Sequence, residues 1–125
     1  MEAKIKISDY FHGAFPVLIV NNLRQEIQYG QKNVTKWDSF NKRHIRVLPP
    51  KSTVYFTWIE PIEVREIVFK LDPTIEYDSI NLDFDRSVKI NENSYWITSF
   101  DGKQRVLIFT NDAKLPQYLL KVFLI

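Results

Sequence analysis

This sequence predicts an all-β fold, a single antiparallel β-sandwich, and three observations carry that expectation. Apolar residues recur with period two, as in Lys4-Ile5-Lys6-Ile7 and in Ser79-Ile80-Asn81-Leu82-Asp83-Phe84-Asp85. Such alternation belongs to strands with one buried and one wet face. Turn-forming residues interrupt these runs at the spacing of a sandwich or barrel. Nowhere does a capped stretch of about ten residues show the 3.6-residue period of a helix.

Strands are expected near 4–8, 15–22, 26–31, 45–48, 54–58, 65–71, 78–84, 87–90, 94–100 and 103–110. The first follows from the Lys/Ile alternation. Val17-Leu18-Ile19-Val20 is apolar on both faces and reads as a central strand. The strand at 45–48 runs into Pro49-Pro50, an extended turn, because the residue before each proline is pushed out of the helical region. Beyond it, Val54, Phe56 and Trp58 share one face and Tyr55 and Thr57 the other. Asp101-Gly102 reads as the tip of a two-residue type I′ hairpin, since both positions tolerate positive φ. That tip sets Phe100 opposite Lys103, Thr98 opposite Arg105 and Ile97 opposite Val106. Tyr95, Ile97, Val106 and Ile108 then share one face, and Trp96, Leu107 and Phe109 build the other, so both faces need cover.

Residues 32–46 break the pattern. The run 32–44 is basic and lacks a strand period, so it reads as a long excursion, mobile and contributing little to stability. Trp37 or Phe40 would anchor it if either were part of the core.

One domain, residues 1–125, fits a chain of 125 residues. With 45% apolar and 26% charged residues it is neither disordered nor core-poor. Seventeen Lys and Arg against fifteen Asp and Glu give a net charge of only +2, which argues against nucleic acid as a partner. The absence of cysteine excludes disulfides and thiolate metal sites. No apolar run approaches the roughly 20 residues of a membrane-spanning helix. The first twenty residues carry no signal-peptide pattern. The ending Phe123-Leu124-Ile125 reads as that of a piece cut from a longer chain.

Few residues suggest chemistry. His12 and His44 lack ligand partners at a metal-site spacing. Asp83 and Asp85 fall on the wet side of their strand, and Asp72, Glu76 and Asp78 lack the glycine spacing of a calcium loop. No nucleophile elbow, phosphate cradle or carboxylate pair is present, so neither an enzyme, a cofactor nor a metal is expected.

Asn21 stands out. It ends an apolar strand on the face of Val17 and Ile19, and its amide must find partners there. With one acceptor and two donors it can hold two backbone segments together. One reading makes it a structural clamp; the other makes that clamp the shaper of a peptide groove. Asn22 points to the opposite face and serves the turn. The basic residues Lys32, Lys36, Lys42, Arg43, Arg46 and Lys51 form either a solvated loop or an auxiliary contact for anionic lipid, with Lys36, Lys42 and Arg43 the candidates.

Three segments in order also carry a likeness. They are 10–22, ending Ile19-Val20-Asn21-Asn22; Leu48-Pro49 running on to Trp58-Ile59-Glu60-Pro61; and 99–112, containing Phe100-Asp101-Gly102-Lys103-Gln104-Arg105-Val106-Leu107. Together they resemble a repeat, most of all the last, of the adaptor-binding region of vacuolar protein sorting-associated protein 13, a family of bridge-like lipid-transfer proteins. The resemblance covers roughly residues 4–112. Leu23, Ile59 and the length of the 32–44 excursion depart from it.

The resemblance implies a β-sandwich repeat with neighbouring repeats in the same chain. It also implies adaptor proteins with a Pro-X-Pro motif as partners, bound by strand addition at a sheet edge. The setting implied is cytoplasmic and peripheral, at organelle membranes and contact sites. Proline rings need apolar or aromatic pockets, for which Tyr10, Phe11, Phe15, Tyr55 and Trp58 are candidates. A headgroup- or carbohydrate-binding sandwich using the basic 32–51 segment is the competing class, and a purely structural spacer repeat the third.

Overall fold

A computed structural model describes residues 17–37, 42–60, 64–71, 79–112 and 114. Among them lie nine strands: β1 (Val17–Asn21), β2 (Ile27–Gln31), β3 (Arg46–Leu48), β4 (Ser52–Phe56), β5 (Glu66–Lys70), β6 (Ile80–Asn81), β7 (Arg86–Asn91), β8 (Ser94–Phe100) and β9 (Arg105–Thr110). They form two sheets, ordered β4-β1-β9-β8-β7 and β3-β2-β5-β6. The all-β sandwich is therefore what the alternation specified. One pair departs from antiparallel order: β1 and β9 run parallel, with Val17 beside Arg105 and Asn21 beside Phe109.

β1 is central, flanked by β4 and β9; Val17, Ile19 and Asn21 are buried on its core face, and Leu18 and Val20 are half-buried on the other. The core lies between the sheets. Phe56, Phe69 and Phe109 are fully buried. Phe69 of β5 meets Phe109 of β9 edge-on at 5.0 Å, and Tyr29 of β2 meets Phe56 of β4 at 5.9 Å. Both ring pairs join one sheet to the other, each contributing roughly 0.5–1.5 kcal/mol beyond its buried area. Burial raises the Tyr29 pKa, against a lowering by the nearby Arg46 guanidinium.

The β8–β9 hairpin has a different register from the one expected. Phe100 pairs with Arg105, Thr98 with Leu107 and Ile97 with Ile108, so Ile97 does not face Val106. The loop spans four residues, 101–104, because the Asp101 carboxylate accepts the N–H groups of Lys103 and Gln104, both at 2.9 Å. The Asp101 N–H also donates to the Gln104 carbonyl. Gly102 takes the one left-handed position, at φ 96°. A slip of two residues preserves side-chain parity, so the expected face assignments hold although the partners change. Trp96, Ile97, Thr98 and Ser99 are all buried, as a strand covered on both faces requires.

The strand expected over 78–84 stops early. Asn81 Oδ1 accepts the Asp83 N–H at 2.8 Å, and this side-chain turn ends β6 after Ile80–Asn81. Phe84 consequently leaves the core face and is 63% exposed. Asp83 is exposed as expected, whereas Asp85 is partly covered: it is ion-paired with Arg105, and each side chain is about one-quarter exposed.

The 32–44 excursion is tied down at its stem, contrary to a wholly loose loop. Lys36 and Arg43 exchange backbone hydrogen bonds. Thr35 is buried and donates to the His44 carbonyl at 3.0 Å. Lys70 Nζ sits 4.8 Å from the Trp37 ring centre. Phe40, the strand expected at 4–8, His12, and Asp72, Glu76 and Asp78 lie outside the described residues.

Candidate peptide-binding surface

Among the described residues, Asn21 is one of two buried amides that make four hydrogen bonds each. Its side chain is fully buried at the end of β1. Nδ2 donates to the carbonyls of Gln25 at 2.9 Å, Leu48 at 3.1 Å and Pro49 at 3.0 Å. Oδ1 accepts the Leu23 N–H at 2.9 Å. One amide thus holds the β1–β2 turn to the corner where β3 crosses into β4. Three acceptors around two N–H bonds mean that one proton is shared. Lys51, left-handed at φ 56°, closes the corner and donates through Nζ to the Asn22 carbonyl at 2.8 Å. The Asn22 N–H donates to the Phe109 carbonyl, so Asn22 serves the turn through its backbone.

A second amide does the same work at the opposite pole. Gln31, fully buried at the end of β2, accepts through Oε1 the N–H groups of Ile59 at 2.9 Å and Glu60 at 3.0 Å. Its Nε2 donates to the Glu60 carbonyl at 2.7 Å. Sequence reasoning missed Gln31. The signal was available: it closes β2 on the face of Tyr29, as Asn21 closes β1.

β4 runs between the two poles, from Ser52 beside Asn21 to Phe56 beside Val17. It is an outer strand of the larger sheet among the described residues. Tyr55 stands on its outer face, 59% exposed, whereas Trp58 turns inward and packs edge-on against Phe56 at 5.1 Å. Trp58 also lines a cleft of about 260 Å³ with Val17, Arg65, Leu82, Phe100 and Arg105. Arg105 Nη2 donates to the Asp83 carbonyl at 2.6 Å, so its charge is already engaged. Tyr55 and Trp58 therefore belong to different surfaces. Tyr10, Phe11 and Phe15 lie outside the described residues.

At the other side of the sandwich the two sheets part. A groove of about 250 Å³ opens between them, lined by Phe69 of β5, by Ser79 just before β6, and by Arg86, Val88, Lys89, Ile90 and Trp96 of the larger sheet.

The basic residues do not form one patch. Lys32 pairs with Glu66 at 3.5 Å, and the Arg46 guanidinium lies 5.7 Å from the Phe56 ring centre. Lys36, Lys42 and Arg43 are exposed together on the excursion's stem. Trp37 is covered by Lys70 and is not presented as a membrane anchor. Among the described residues no group of three His, Cys, Asp or Glu could hold a metal ion, and no helix is long and apolar enough to cross a membrane.

With this geometry in view, comparison with known proteins is informative. No family model matches the chain. Over 113 residues it is 26% identical to intermembrane lipid transfer protein VPS13A of Mus musculus. It is 29% identical over 117 residues to VPS13C of Mus musculus, and 28% over 122 residues to VPS13C of Homo sapiens. The chain resembles a repeat region of the VPS13 proteins. Each alignment covers 89% of this chain but only 3% of the relative's length. In the structure, the segments that carry the likeness meet: Val17, Trp58, Phe100 and Arg105 line one cleft, and Asn21 binds Leu48 and Pro49.

Proposed function

We propose that this sandwich is a protein-interaction module of a VPS13-like lipid-transfer protein. It captures adaptor peptides of Pro-X-Pro type by strand addition at a sheet edge. In this reading the adaptors, with neighbouring repeats, hold the larger protein at organelle membranes and contact sites from the cytoplasmic side. The module performs no catalysis. The observation that supports it most is the Asn21 clamp. A fully buried amide fixing three backbone carbonyls is more construction than a plain turn needs. It also rigidifies the corner from which β4 departs. Outer strands carry backbone N–H and C=O groups that can accept an extended peptide.

Titrating a labelled Pro-X-Pro peptide and its Ala-X-Ala counterpart against the chain tests this reading. Saturable binding of the first alone is the expected result. Equal binding, or none, overturns it. A second reading, contact with anionic lipid, has one specific support in the exposed Lys36, Lys42 and Arg43 on a common stem. Polybasic attraction contributes about 1 kcal/mol per residue at most, so three cations make an auxiliary contact only. Liposomes with and without phosphatidylserine, run beside the peptides, separate the two. A spacer repeat responds to neither.

A further inference from the structure

The hairpin tip between β8 and β9 carries a reactive peptide bond. From its geometry we propose that Asp101-Gly102 is a backbone-modification site, where aspartate converts to isoaspartate, and that this conversion unmakes the tip that sets the β8–β9 register. In the first step the Gly102 nitrogen attacks Cγ of the protonated Asp101 carboxyl. A C–N bond forms, a C–O bond breaks, and the carboxyl hydroxyl leaves as water with the amide proton. Water then adds to the Asp101 main-chain carbonyl of the five-membered ring and breaks its bond to the Gly102 nitrogen. The chain now runs through Cγ, and the former main-chain carbonyl carbon ends as a free carboxylate. Water is the only co-reactant.

Steric access singles out this pair among the described aspartates. Asp83, Asp85 and Asp112 precede Phe84, Arg86 and Ala113, each of which has a side chain beside the attacking nitrogen. Gly102 has none, and a Cβ built there would meet no atom within 4 Å. Both Asp101 and Gly102 are exposed. The folded tip restrains the reaction that the sequence invites. Asp101 Oδ1 accepts the Lys103 and Gln104 N–H groups at 2.9 Å, and Oδ2 accepts Gln104 Nε2 at 3.3 Å. These bonds favour the ionised carboxylate, which has no hydroxyl to lose. The reaction therefore draws on chains whose tip has opened locally.

The product cannot rebuild the tip. Isoaspartate adds a methylene to the main chain and removes the side-chain carboxylate that captures both N–H groups. Those bonds close the four-residue loop above the Phe100–Arg105 pair. Phe100 and Arg105 also line the cleft beside Trp58, so modification loosens one wall of that cleft.

The test holds the full chain at neutral pH, native or unfolded in urea. Isoaspartate is read in digests by methyl transfer from labelled S-adenosylmethionine with a purified isoaspartyl methyltransferase, and placed by peptide fragmentation. Label at residue 101 should grow with time in both samples and be absent at that position from Asp101→Glu. In urea it should grow at least about fivefold faster, the factor that one typical net hydrogen bond corresponds to. In the native chain, the isomerised fraction is separated and its amide exchange compared with that of the unmodified fraction. Exchange at Lys103 and Gln104 should accelerate, while that of β2 and β5 stays unchanged. No label at residue 101 in either sample overturns the site. Equal rates in the two samples overturn the restraint by the folded tip. Unchanged exchange at Lys103 and Gln104 overturns the effect on the hairpin.

Discussion

At the scale of single residues, the two buried amides concentrate the chain's polar specificity. Replacing Asn21 with Ala orphans the carbonyls of Gln25, Leu48 and Pro49 and the Leu23 N–H. It should destabilise the domain by about 1–3 kcal/mol in denaturant unfolding. Asn22→Ala should change stability by less than about 0.5 kcal/mol, because its hydrogen bonds are made by the backbone. Equal losses for the two would show that burial rather than bonding matters at this turn. Gln31→Leu keeps the volume but gives up the bonds to Ile59 and Glu60. Its cost should match that of Asn21→Ala within about 1 kcal/mol, and a neutral result would remove Gln31 as a clamp. Asn21 was legible because an amide ending an apolar strand must bond. Gln31 offered the same signal at the end of β2 on the face of Tyr29, but only the tertiary fold brings the Ile59 and Glu60 backbone to meet it.

Elements show where local signals give way to side-chain chemistry. The excursion's stem is fastened by the close approach of Thr35 to Gly30: a Cβ at position 30 would stand 1.8 Å from Thr35 Oγ1 and 2.6 Å from its Cβ. Gly30→Ala should therefore destabilise markedly, and Thr35→Gly in the same chain should recover part of the loss. Additive losses in the double variant would contradict this contact. Stability that survives replacement of 32–44 by a short turn would restore the looser picture.

The β8–β9 tip makes a pH prediction. Hydrogen bonding from the Lys103 N–H, opposed by slight desolvation and aided by the Gln104 N–H, lowers the Asp101 pKa from its ordinary value of 3.8. A lowered folded pKa means a contribution present above the unfolded value and lost as pH falls through the folded one. Asp101→Asn should flatten the acid limb of an unfolding-midpoint profile measured below about pH 5. An unchanged acid limb would mean that the loop holds without its carboxylate. The Asp-Gly pair announced a tight turn in the sequence; the four-residue loop depends on which backbone groups the carboxylate captures, and only the folded tip decides that. The same reason hid the end of β6, where Asn81 bonds the Asp83 N–H and breaks the alternation.

For the whole molecule, alternation and turn spacing specified a sandwich because burying one face of each strand leaves few other architectures. The parallel β1–β9 pair and the unequal sheets depend on long-range pairing, which no local pattern encodes. Those features are also the ones that determine which edges can take a partner. Backbone amide hydrogen exchange of the chain, with and without a saturating Pro-X-Pro peptide, tests the account most directly. Strand addition predicts new protection along one continuous outer strand, absent with the Ala-X-Ala peptide. Binding without any newly protected strand, or protection produced only by anionic liposomes, would contradict it.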